Sequence, residues 1–170
     1  MVLELSLTRA KRASARRTGG QGLIEFALVL PILLLLLFGV IDFGWMLFNY
    51  VSLYNGLREG ARFASVSGYT STAQYYQCDN IRKEIMTRAL FSGIQPGNIT
   101  ITYDNGNPGA AAVGTCPVGS TGSVALNNGY RVVIDVSVNV KFITPFIQTF
   151  ARGGMTINLR SARTVFPNGF

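Results

Sequence analysis

From Phe26 to Ile41 the chain carries no charged residue, and Leu33 to Leu37 are five leucines in a row. Leu23 and Ile24 before this run and Phe43 to Phe48 after it bring it to the ~20 residues of helix that cross a bilayer. A helix apolar on every side is stable in water only where something covers every side. The 170 residues present provide one modest folded domain, too little for that cover. A transmembrane span therefore explains the run better than a buried core helix.

The formal charge is +7, and its placement is more informative than its size. Arg9, Lys11, Arg12, Arg16 and Arg17 precede the span, opposed only by Glu4, so residues 1–20 carry +4 and residues 21–170 the remaining +3. Basic residues beside a span place the N-terminus in the cytoplasm and the rest of the chain across the membrane. As a nucleic-acid element the segment lacks aromatic interleaving and any recognisable fold. Membrane lipid is thus an expected partner, and nucleic acid is not.

A secretory signal would follow its apolar core with a small-x-small cleavage site. Here the core leads into Val40-Ile41-Asp42-Phe43-Gly44-Trp45-Met46, which has no such pattern. Small residues stand before it, at Thr18-Gly19-Gly20, where a cut would leave the apolar helix on the mature protein.

The residues around that point resemble a known family. Gly20-Gln21-Gly22-Leu23-Ile24-Glu25-Phe26 is similar to the prepilin peptidase site of the type IV filament superfamily: a glycine, a cut, and a glutamate fifth in the mature chain. Gln21 departs from the Phe or Met that usually follows the cut in ordinary type IV pilins. Glu25-Phe26-Ala27-Leu28-Val29-Leu30-Pro31, with Ile41-Asp42-Phe43-Gly44 and Arg58-Glu59-Gly60-Ala61-Arg62-Phe63-Ala64, more closely resembles the TadE-like pseudopilins of tight-adherence (Tad) systems, over about residues 19–66. The resemblance implies removal of residues 1–20 by a prepilin peptidase. It also implies an inner-membrane assembly platform, the major Flp-type pilin and other minor pilins as partners, and a part for Glu25 in subunit registry.

Glu25 needs a physical account in any case, since an ionised carboxylate near the edge of the hydrocarbon costs on the order of 2–3 kcal/mol, less if it snorkels. A cut after Gly20 creates an ammonium at Gln21, four residues earlier, with which Glu25 of the same or a neighbouring subunit could pair. The simpler account is a carboxylate favoured by the helix dipole. Asp42 reads as a carboxylate in the outer headgroup layer, with contact to a partner membrane protein as the alternative. Pro31 removes one helix hydrogen bond and predicts a kink near residues 27–31, and Trp45 and Tyr50 suit the lipid interface.

Past the span, Leu47, Tyr50, Tyr54, Leu57, Ala61 and Ala64 recur every three or four residues and predict one docking stripe, with Asn49, Arg58, Glu59 and Arg62 largely away from it. The helix is expected from Gly22 to about Val66, roughly 68 Å at 1.5 Å per residue. The segments are residues 1–20 as leader, 21–44 as span, 45–67 as amphipathic continuation and 68–170 as a periplasmic or extracellular head. After a polar turn at Gly68–Gln77, Asp79 or Asn80 is expected to cap a second helix whose apolar face is Ile81, Ile85, Ala89 and Leu90. Ile99, Ile101 and Tyr103 alternate as a strand, and residues 104–129 read as a long loop. Val132, Ile134, Val136, Val138, Val140 and Phe142 alternate with Arg131, Asp135, Ser137, Asn139 and Lys141, which predicts a strand with one buried face. After a short segment at Pro145–Ala151, a last strand is expected near Met155–Phe166, with a bulge at Ser161-Ala162. The fold class is α+β: a long helix, then a head with one further helix on a roughly three-stranded, mostly antiparallel sheet.

Cys78 and Cys116 lie beyond the span, where an oxidising compartment makes the pair read as a disulfide. Closing its loop of about 39 residues would add roughly 3–4 kcal/mol; two separate thiols are the alternative. The chain has no histidine, so the commonest general base and metal ligand is missing. Asp79, Glu84, Asp104 and Asp135 show no catalytic spacing, and the glycines between Gly106 and Gly129 lack the strand–helix context of a phosphate cradle. No catalysis, cofactor or metal is expected. The leading function is that of a minor pilin or pseudopilin. The alternatives are a single-pass anchored envelope binding protein that enters no filament and a major subunit of an ordinary type IV filament.

Overall fold

The computed structural model describes residues 20–66, 73–90, 92–107, 109–120, 126–150 and 153–166. The basic leader segment up to Gly19 and the first half of the polar turn expected at Gly68–Gln77, residues 68–72, lie outside these residues. The chain divides into two units, Met1–Leu37 and Phe38–Phe170. Helix α1, Gln21–Ser65, is continuous past Pro31. In the first unit its residues 21–37 are all exposed except the half-buried Leu30. It is long and apolar enough to cross a membrane, and among the described residues its most apolar stretch is exposed.

The second unit joins the rest of α1 to helix α2 (Cys78–Arg88), strands β1 (Ile99–Asp104), β2 (Gly114–Thr115) and β3 (Arg131–Val140), helix α3 (Pro145–Phe150) and strand β4 (Met155–Thr164). The strands form one antiparallel sheet in the order β2-β1-β3-β4. The inward side chains of the sheet form one core with α1 and α2. Ile99, Ile101 and Tyr103 come from β1, alternate residues Val132 to Val140 from β3, Leu53, Leu57, Ala61 and Ala64 from α1, and Ile81 and Ile85 from α2. Period-two alternation in the strands and period-3.6 stripes in the helices supply this core, as an α+β layer arrangement requires. The strand expected at Ile99–Tyr103 is β1, and the one expected from Val132 is β3, which ends at Val140 and leaves Phe142 half-buried beyond it.

Several expectations change. The sheet has a fourth strand, β2, inside the segment expected to be loop. Two residues show no alternation to detect, and their pairing of Thr102 with Thr115 and Tyr103 with Gly114 depends on the chain being tied back at Cys116. No bulge occurs at Ser161-Ala162, because β3 and β4 pair one to one from Arg131↔Thr164 to Val140↔Met155. Ser161 is an inward-facing serine on an edge strand, so a polar residue falls on the apolar phase without breaking the register. Neither Asp79 nor Asn80 caps α2, which starts at Cys78 after Gln77. Leu90 is exposed because the helix ends at Arg88 and the chain turns away after Ala89.

The stripe on α1 is also rotated. Leu47, Tyr50 and Tyr54 are exposed, while Asp42, Met46, Asn49, Leu53 and Gly56 are buried ahead of Leu57, Ala61 and Ala64. Asn49, expected on the wet side, is fully buried. The cause is the close seating of α2. A β-carbon on Gly56 would lie 2.8 Å from the carbonyl oxygen of Ile85, and one on Gly60 would lie 2.3 Å from the Ile85 side chain. Glycines one turn apart make a flat face, and the helix turns that face to its neighbour.

Candidate functional site

The sequence-predicted site begins at Gly20 and Gln21, both exposed, with Gln21 the first residue of α1. Gln21 Nε2 donates to Glu25 Oε1 at 3.3 Å, the i,i+4 contact that helical spacing allows. The backbone nitrogen of Gln21, which a cut after Gly20 would convert to an ammonium, begins this same turn. The first turn of α1 holds no acidic residue, and Glu25 follows it. Because the helix dipole fades within that first turn, it explains little of the presence of Glu25, whereas a partner at Gln21 explains more.

Asp42 makes its contacts within the chain. Its side chain is buried, and Oδ1 accepts the backbone N–H groups of Ile143 at 2.9 Å and Thr144 at 3.1 Å. These N–H groups immediately precede α3, where a helix start leaves donors without intrahelical partners. The carboxylate of one element thus satisfies the turn into another, some hundred residues along the chain. Among the described residues, Asp42 Oδ2 and Asn49 Oδ1 are the buried side-chain acceptors without a partner, while Asn49 Nδ2 donates to the Trp45 carbonyl at 2.8 Å.

The structure joins Cys78 to Cys116 as a disulfide, Cα to Cα 5.5 Å, so the first residue of α2 is bonded to the residue just after β2. Two buried side chains hold this crossing. Arg82 donates through Nε to the Ile99 carbonyl at 3.4 Å, through Nη1 to Pro117 at 3.1 Å and through Nη2 to Cys116. Burial pulls its guanidinium below the ordinary arginine range, and nearby Asp79 acts in the opposite direction. The Tyr103 hydroxyl donates to the Tyr75 carbonyl and lies 3.0 Å from Cys116 Sγ. Burial raises the Tyr103 phenol and pushes that of Tyr75 up to about 12, so both are neutral at ordinary pH. At the far end of the β1–β3 ladder, Arg131 grips Asp104 with two hydrogen bonds of 2.8 Å. That contact, ahead of the opposing effect of burial, holds the Asp104 carboxyl below its usual range.

Gly20, Gln21 and Glu25 therefore stand together on one turn, and Cys78 meets Cys116 in the head. The packing roles of Gly56 and Gly60, the bonds of Arg82 and the internal bond of Asp42 are additions of the structure. The Gly56-x-x-x-Gly60 spacing was a signal for the first two. The other two depend on distant backbone atoms, which leave no trace in local pattern. No group of three or more His, Cys, Asp or Glu gathers among the described residues.

Comparison with protein-family models matches residues 20–62 to the family described as TadE-like protein. Comparison with curated proteins and with solved structures gave no match. The matched segment contains Gly20, Gln21, Glu25, Asp42, Gly56 and Gly60. Over residues 20–62, which include Gly20, Gln21 and the apolar helix, the chain is similar to TadE-like proteins.

Proposed function

We propose that the chain is a minor pilin or pseudopilin of a Tad-type pilus, taking part in pilus assembly and through it in adherence or secretion. It is made with a basic leader and cut between Gly20 and Gln21 by a prepilin peptidase. Helix α1 holds it in the bacterial inner membrane, with the N-terminus cytoplasmic and the head periplasmic, until it joins the assembly. The observation that carries this reading is an exposed Gly20–Gln21 bond at the start of an uncovered apolar helix, with Glu25 one turn inside. A cut there keeps the helix, where a secretory cut would discard it. The TadE-like match over this same segment agrees.

On this reading the partners are the peptidase, the inner-membrane assembly platform, the major Flp-type pilin, other minor pilins and lipid. A head of this size makes the chain larger than a small major pilin, which favours a minor, initiating or tip position. The chain is no enzyme; the reaction is one done to it. The test is the N-terminal sequence and intact mass of the protein extracted from its native membrane. A chain starting at Gln21 is expected. A chain that keeps residues 1–20 would overturn the proposal and make a permanently anchored envelope binding protein the better account.

A further inference from the structure

Between Glu25 and Arg58 the sequence holds one charged residue, Asp42, and read along the chain it closes the apolar run. The structure removes it from the outward face, since the side chain is 2% exposed and bonded to the backbone of Ile143 and Thr144. What α1 turns outward past that point is Phe43, Leu47, Phe48, Tyr50 and Val51, all exposed. Counted from Glu25, the ~20 helical residues that cross ~30 Å of hydrocarbon end near Trp45, one turn beyond Asp42. Asp42 and the residues bonded to it fall at the acyl-chain boundary.

We propose that the head is seated in the outer lipid interface on a rim formed by Ile143, Phe146 and Met155, with phospholipid acyl chains in the groove beside α1. This rests on α1 being a membrane anchor. The three rim side chains are 51%, 53% and 56% exposed. The Asp42 bonds fix Ile143 at the level of residue 42, and Met155 pairs with Val140 at that same end of the sheet. Lys141, exposed beside them, can reach up to the phosphates while its stem stays in the apolar layer.

The groove has a volume of about 370 Å³, and its walls include Phe43, Leu47, Tyr50, Phe142, Ile147 and Met155. That volume is in the range of small-ligand sites. The one charged group in its lining is Asp42, already engaged through Oδ1 with the head's own backbone, so the walls suit a hydrocarbon better than a polar partner. The groove is lined by the exposed apolar residues Phe43, Leu47 and Tyr50 of α1 itself, and this continuity selects lipid as its occupant. Tyr50 at its upper edge falls where interfacial aromatics gather.

The chain has one tryptophan, which permits a depth test in the full-length protein. In a Trp45→Phe background, Leu35→Trp reports on the span, Ile143→Trp and Met155→Trp on the rim, and Thr164→Trp on the opposite end of the β3–β4 ladder. Each variant is reconstituted into phosphatidylethanolamine–phosphatidylglycerol vesicles with and without brominated acyl chains. The expected result is loss of fluorescence to bromine at 35 and at the rim, and none at 164. Loss at 35 without loss at either rim position overturns the seating and leaves the anchor intact. Blue-shifted, unquenched rim tryptophans would also overturn it, by placing a protein helix where lipid is proposed. Equal loss at 164 overturns it as well, since the head would then lie flat. No loss at 35 removes the anchor reading itself.

Discussion

Asp42 shows how one side chain changes the meaning of a stretch of sequence. Its carboxylate takes two backbone donors ahead of α3, and a buried donor left unmatched costs about 1–3 kcal/mol. Asp42→Ala should therefore destabilise the head by about 1–3 kcal/mol, read as a lowered thermal midpoint in detergent. Asp42→Asn keeps the accepting oxygen and should lose less; equal losses for the two would show that the N–H groups do not need it. Asp104 gives a pH-dependent counterpart. Arg131 holds its carboxyl low in the folded chain, while in the unfolded chain it titrates near ~3.9. A depressed folded value means that the unfolded state takes up the proton first as pH falls. The stabilisation is therefore complete above the unfolded value and is lost as pH drops through the folded one. Acid titration of the midpoint should show this loss in the wild type, and Asp104→Asn should flatten it.

At the level of elements, the contact between α1 and α2 is decided by Gly56 and Gly60. Ala in place of Gly adds up to ~1 kcal/mol of helix propensity, but at Gly56 the added carbon meets a backbone oxygen at 2.8 Å, and overpacking costs about 1–3 kcal/mol. Gly56→Ala should thus lower stability, while Gly44→Ala, with nothing within 4 Å of the new carbon, should hold or raise it. A gain at both positions would mean that α2 is not seated as described. The disulfide ties the start of α2 to the residue after β2. Replacing Cys78 and Cys116 together by Ala should lower stability by about 3–4 kcal/mol. Because both cysteines are buried, maleimide should label reduced thiols after dithiothreitol in urea and not in buffer. Periodicity made β1, β3 and the inner face of α2 legible in the sequence, because each buries one side at the period of its own geometry. It failed at β2, too short to have a period. It failed again on α1, where Leu47, Tyr50 and Tyr54 are as apolar as the true stripe and only the absence of side chains at Gly56 and Gly60 selects the face that docks.

For the molecule as a whole, the proposed path runs from insertion through cutting to assembly, and Glu25 separates these stages. The junction was legible because it is local: Gly20, Gln21 and Glu25 lie within six residues, and one helical turn brings the last two together. The seating of the head was not, because it depends on Asp42 meeting residues 143 and 144. If Glu25 served only insertion, an uncharged residue would serve better, since a carboxylate at the hydrocarbon edge is unfavourable by roughly 2–3 kcal/mol. Its retention in the helix makes sense if a neighbouring ammonium at Gln21 compensates for it after the cut. Glu25→Ala and Glu25→Gln should both insert and be cut after Gly20, giving a chain of mature mass in the membrane, yet yield little pilus in sheared fractions. Glu25→Asp, shorter by one methylene but still charged, should recover part of the yield. Normal pilus output from Glu25→Ala would remove the pairing with Gln21 from the account. Failure of that variant to be cut would instead move the function of Glu25 back to recognition by the peptidase.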